Sequence, residues 1–261
     1  MQFSEILNTL RAADSAWAID VSDDWGQGRA IFGGLVAAAA NAALRKVVPT
    51  DRPLRMLQTT FVGPATAGTW RIETEVLREG RAVTSAQCVI RCGETVAANI
   101  VGVYGAARPS AIQLALPSVE PGSAAERIRD VPMPPNVPRF IRHFEMRWVE
   151  GPGLFSGKRS CTRAYLRHCD PTVATESHVI ALTDALPPPA LSMCTAPAPA
   201  SSLVWTLEFL AHDFSFPQGA WWRIDQDIDA GGEGYAHESG ILYAPDGSPM
   251  ALTRQLVAVF D

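Results

Sequence analysis

The chain has 261 residues, 47% of them hydrophobic and 19% charged, and carries a net charge of −5. That composition is globular, and with no basic run among the scattered arginines and lysines it argues against a nucleic-acid partner. No apolar run reaches the ~20 residues a bilayer span requires, so no membrane partner is expected. The opening MQFSEILNTLRAADSAW carries acids where a signal peptide has basic and apolar regions. The cysteines, at 88, 92, 161, 169 and 194, are odd in number and irregularly spaced. They read as reduced thiols of a cytoplasmic protein, with poor spacing for a metal.

The first strong element is GRAIFGGLVAAAANAAL, Gly28 to Leu44. Its alanines predict a helix closely surrounded on several sides, and the two glycines at its start leave the terminal N–H groups approachable. Four strands follow: LRMLQTTFVGP, TWRIETEVLREG, RAVTSAQCVIRCG and ETVAANIVGVYG, each rich in β-branched or aromatic residues and bounded by Gly or Pro. Residues 109 to 138, rich in proline, serine and glycine, read as a linker. RFIRHFEMRWVEG and KRSCTRAYLRHCD then predict strands ahead of a second helix, TESHVIALTDALPPPALSM, which its prolines stop. Four more strands close the chain: SSLVWTLEFLAHD, AWWRIDQDIDAGG, EGYAHESGILYAPDG and SPMALTRQLVAVF.

Helix then four-stranded meander therefore occurs twice. Phe61 and Phe209, Trp70-Arg71-Ile72 and Trp222-Arg223-Ile224, and Asn99 to Tyr104 and Gln255 to Phe260 match across the copies. A duplicated unit is expected, its two sheets pairing edge to edge around the helices.

Phe32-Gly33-Gly34, LREGRAV at Leu77 to Val83, LTDALPP at Leu182 to Pro188, the Asp246-Gly247 turn and TRQLVAV at Thr253 to Val259 carry a resemblance in order along almost the whole chain. They resemble the thioesterase superfamily, in its acyl-CoA thioesterase II-like double-hotdog branch. The resemblance implies an α+β double hotdog, two helix-wrapping antiparallel sheets joined into one continuous sheet. Its units would be residues 1–108 and 139–261, with 109–138 between them. It further implies hydrolysis of acyl-CoA in fatty acid metabolism, without cofactor, metal or covalent intermediate, by a homo-oligomer. Helix N-terminal amides at Phe32, Gly33 and Gly34 would polarise the thioester carbonyl. The family's catalytic Asp, Thr and Gln, carried over by position, fall on Val204, on Asp227 or Asp229, and on Gln255.

With valine at the first of those positions, other groups come forward. Asp184, on an apolar helix beside a proline stop, is a candidate general base or else a capping acid. Thr206 and Glu208 share a strand face with Val204 and would supply a hydroxyl and a carboxylate, unless that face is simply exposed. Gln255 needs a partner in an apolar strand and orders either a water or a neighbouring chain; Asn99 is its repeat counterpart and candidate substrate contact. A binding protein that kept the pocket and lost the base is the alternative, motivated by Val204. A hotdog hydratase is the third reading, with Asp170 and His178 as its acid–histidine pair. No Gly-x-Ser-x-Gly elbow, Walker loop or dinucleotide fingerprint occurs.

Overall fold

The structure, a computed structural model, describes residues 1–128, 137–159 and 161–260. Residues 129–136 of the expected linker, and Ser160 in the second expected preamble strand, lie outside them. In the first half the elements are helix α1 (Phe3–Asn8), strands β1 (Arg11–Ala13), β2 (Ala16–Val21), β3 (Gly26–Gln27) and β4 (Ala30–Ile31), helix α2 (Gly33–Leu44), and strands β5 (Leu54–Phe61), β6 (Gly68–Glu79), β7 (Val83–Cys92) and β8 (Thr95–Gly105). The second half has β9 (Phe144–Glu150), β10 (Cys161–His168), α3 (Glu176–Thr183), β11 (Ala200–Phe209), β12 (Trp222–Gly232), β13 (Tyr235–Tyr243) and β14 (Pro249–Val259).

Twelve of these strands form one sheet in the order β1-β2-β6-β7-β8-β5-β11-β14-β13-β12-β10-β9. The halves meet where β5 pairs antiparallel with β11, Leu57 opposite Leu207 and Thr59 opposite Trp205. The β5 edge of the first half is thus covered by β11 of the second, and β1 and β9 form the outer edges of the sheet. Alternation decides the faces: Trp70 and Ile72 on β6, like Trp222 and Ile224 on β12, point into the core, while Arg71 and Arg223 between them are less buried. Among the described residues no helix is long and apolar enough to cross a membrane.

Helix α2 lies against β5 to β8 on one side and α3 on the other. Ten of its twelve residues are buried, which accounts for its alanines. The two helices run antiparallel: Gly34 at the start of α2 lies against Ala181 near the end of α3, and Arg45 just past the end of α2 reaches Glu176 at the start of α3. The first helix also crosses to the second half. Phe3 packs its ring 5.0 Å from that of His168 and 4.7 Å from that of His178, and the Ser4 amide donates to Asp170 at 2.6 Å.

Residues 1–108 made alone therefore lose the partners of β5, α2 and α1 together. The expected product aggregates and binds a hydrophobic dye. A monomeric, folded fragment in size-exclusion chromatography would show that the first half is self-sufficient.

Candidate active site

Helix α3 stops at Asp184, whose φ of −104° and ψ of 2° leave the helix; the Asp184 amide still donates to Ala181 at 3.2 Å. Pro187, Pro188 and Pro189 then prevent any continuation. An acid here faces the unfavourable end of its own helix dipole. It also faces the favourable end of α2, whose first amides have no partner within that helix. The Gly34 amide is directed at the Asp184 carboxylate.

Gln255 reaches the same carboxylate from the sheet. It lies on the inner face of β14, and its Nε2 donates to Asp184 Oδ1 at 2.9 Å. With the amide in that orientation its Oε1 accepts from the Ser202 hydroxyl at 2.8 Å. Ser202, Gln255 and Asp184 form a linear relay that ends at the N-terminus of α2. Burial pushes the Asp184 carboxyl up to about 7 against the opposing Gln255 and Gly34 hydrogen bonds. A carboxyl poised there holds or releases a proton close to neutrality.

Ser202 was not among the residues singled out in the sequence, and its geometry explains why. Strict alternation from Thr206 and Val204 would put Ser202 on the outer face. A β-bulge between Ser202 and Val204 breaks the alternation, so that Ser202 faces Val257 and Trp205 faces Gln255, both turned inward.

The same register corrects other expectations. Val204, Thr206 and Glu208 pair with Leu256, Arg254 and Leu252, on the face opposite Gln255, and Glu208 is exposed. None of the three joins the relay. The carboxylate beside Gln255 belongs to Asp184, at the end of α3. Asp227 pairs with Arg163 at 2.9 Å and Asp229 accepts from Ser239 at 2.8 Å, so the hydroxyl beside Gln255 is that of Ser202. Asn99 is exposed on β8, and Gly102, opposite Leu57 as Gln255 is opposite Trp205, occupies the position that Gln255 holds in β14. Phe32 caps α2 with its backbone, but its ring is fully buried and stacked on Phe140 at 4.2 Å, which makes it a packing residue.

The two glycines differ. A Cβ on Gly34 would stand 2.5 Å from the Phe32 ring and 2.9 Å from the Ala181 carbonyl oxygen, so this glycine is where α2 and α3 touch. A Cβ on Gly33 would meet only side-chain ends, Asp184 Oδ2 at 2.9 Å and Phe61 Cζ at 3.0 Å. Gly34→Ala is expected to lower stability by about 1–3 kcal/mol through overpacking. Gly33→Ala should leave melting near wild type and impair turnover, since it crowds Asp184 Oδ2. Equal melting losses in the two variants would remove this distinction.

The Asp170 and His178 pair is engaged in structure. Asp170 accepts from Ser4 and Thr172, while His178 Nδ1 takes the Thr175 amide at 3.2 Å at the start of α3. Burial holds His178 down to about 4 and His168 to about 3. The adjoining cavity, about 20 Å³, has room for a single water and none for an acyl thioester.

The profile of the acyl-CoA thioesterase N-terminal domain matches residues 21–105, and that of the acyl-CoA thioesterase C-terminal domain matches residues 122–259. The chain belongs to the acyl-CoA thioesterase family. A conserved protein of unknown function with a hot dog fold from Alicyclobacillus acidocaldarius superposes with a TM-score of 0.86 at 19% identity, over 99% of this chain and 98% of its own. An acyl-CoA thioesterase II from Mycobacterium marinum gives 0.76 at 18% identity, over 99% and 98%. A tesB protein of Mycobacterium avium subspecies paratuberculosis gives 0.77 at 18% identity over the full length of both chains. At such identities the likeness establishes the hotdog fold. No curated protein matches the chain in sequence.

Proposed function

We propose that this acyl-CoA thioesterase family member hydrolyses an acyl-CoA thioester to the free acid and CoA, with Asp184 as general base. The observation that carries the reading is the Ser202–Gln255–Asp184 relay ending at the α2 N-terminus. Asp184 Oδ1 is held by Gln255, which leaves Oδ2, on the Gly33 side, to accept a proton from water. The water oxygen attacks the thioester carbonyl carbon as its proton passes to Asp184. Negative charge gathers on the carbonyl oxygen, and the Gly33 amide, at the positive end of the α2 dipole, is placed to donate to it. Collapse of the tetrahedral adduct breaks the carbon–sulfur bond, and the departing thiolate recovers the proton from Asp184. Ser202 acts on this step only through the Gln255 amide.

The same reading takes acyl-CoA as the small-molecule partner of a cytoplasmic homo-oligomer built from hotdog units at 1–108 and 139–261. The binding-protein alternative drew on Val204, and the Asp184 carboxyl deprives it of that motive. Purified protein is to be given a panel of acyl-CoA esters of different chain length with a thiol reagent. Steady CoA release supports hydrolysis, and saturable ligand uptake with no thiol released supports binding alone.

A further inference from the structure

Glu238 is a buried carboxyl that the proposed reaction leaves unused. It lies on β13 directly opposite Gln255 and is 5% exposed. Its Oε1 accepts the Ala190 amide at 2.8 Å, in the short 3-10 turn Pro189–Ser192 that follows the segment leaving Asp184. Glu238 thus borders the relay twice, through the strand partner of Gln255 and through the chain running on from Asp184. A glutamine would satisfy the Ala190 amide equally well, so that hydrogen bond does not by itself call for an acid.

We propose that Glu238 is a positioning residue that shares one negative charge with Asp184, each carboxyl holding its proton when the other is ionised. The proposal rests on Asp184 being the base. Two carboxyls in one partly dry site cannot both ionise freely. Burial, with the charges of Asp184 and Asp229, raises Glu238 to about 7 against the opposing Ala190 hydrogen bond. The groups around it offer little relief. Arg254, from β14, lies 3.9 Å from Asp229 in an ion pair, and Arg159 gives an N–H to the Ile228 carbonyl at 3.0 Å, on the residue paired with Glu238. Gln255 and Ser202 are uncharged. A protonated Glu238 leaves Asp184 ionised and ready to accept a proton, and ionising Glu238 makes Asp184 a stronger base.

The test is a carboxyl titration by carbon NMR on full-length protein labelled in its Asp and Glu side chains, together with the pH dependence of kcat/KM. In Glu238→Gln, which keeps the Ala190 contact, the Asp184 midpoint is expected to fall by about one pH unit, the coupling at which two groups titrate as a pair. The acid limb of kcat/KM should move with it. In Asp184→Asn the Glu238 midpoint should fall by the same amount, because such coupling is reciprocal. An unmoved midpoint in either variant overturns the proposal and leaves Glu238 an anchor for Ala190. Midpoints that move while the acid limb stays in place uphold the shared charge and overturn Asp184 as the base.

Discussion

Asp184→Asn is expected to lower kcat for acyl-CoA hydrolysis about a hundredfold or more, the usual size of a general-base contribution. KM should change little, since the lost interaction belongs to the chemical step. Gln255→Ala should cost less, and the double variant should fall short of the product of the single losses because both act on one relay. The wild-type rate should rise with pH through about 7, where burial has placed the carboxyl, and Asp184→Asn should lose that limb. Stability should move the other way. A carboxyl raised from 3.8 to about 7 in the folded state stabilises the unfolded chain increasingly as pH climbs between those values. Asparagine removes that penalty, so the variant should melt higher than wild type at pH 8 and equally near pH 3.5. A variant with wild-type turnover and an intact acid limb would make Asp184 structural.

Glu176→Ala is expected to destabilise the protein by about 1–3 kcal/mol, the cost of removing a charged acceptor from a half-buried hydrogen-bond network. Glu176 Oε1 accepts from Asn41 at 2.6 Å and from Arg45 Nε at 2.9 Å, and its other oxygen takes a second Arg45 N–H. The Tyr104 hydroxyl donates to Asn41 Oδ1 at 2.8 Å, and Arg45 also lies over the Tyr104 ring. The carboxylate and guanidinium are 16% and 25% exposed and border a pocket also lined by His212 and Phe214, so water replaces only part of the lost interaction. Pairing Glu176→Leu with Arg45→Met should recover most of the loss, as apolar replacements of buried ion pairs do. Chemical denaturation of the single and double variants checks both statements. A single-variant loss under about 1 kcal/mol would place this pair with ordinary surface salt bridges.

The glycines before an alanine helix and the proline-stopped LTDALPP were visible in the sequence because each is a local backbone signal. They led directly to Gly33, Gly34 and Asp184, and the family's Gln carried over by position, in an apolar strand, led to Gln255. Residues whose role depends on sheet register were not visible. Alternation from Val204 leads to Thr206 and Glu208, but one bulge turns Ser202 inward and leaves those two outside. The repeat pairs Asn99 with Gln255 letter for letter, whereas strand pairing sets Gly102 in the equivalent place. Glu238 looks like a solvated strand residue beside Ser239, and only the cover given by the Pro189–Ser192 turn makes it a buried acid.

The antiparallel helix pair has two ends of unlike character. In a symmetric pair of separate units both junctions would be made by one sequence, and each residue would have to suit both. Fusion lifts that constraint. At one junction Gly34 and Asp184 leave a carboxyl uneasy in its surroundings, while at the other Asn41, Arg45, Glu176 and Tyr104 satisfy one another. The Asp184 junction can therefore hold a poorly solvated acid without loosening the whole, because cohesion has been assigned to the far end of the same two helices.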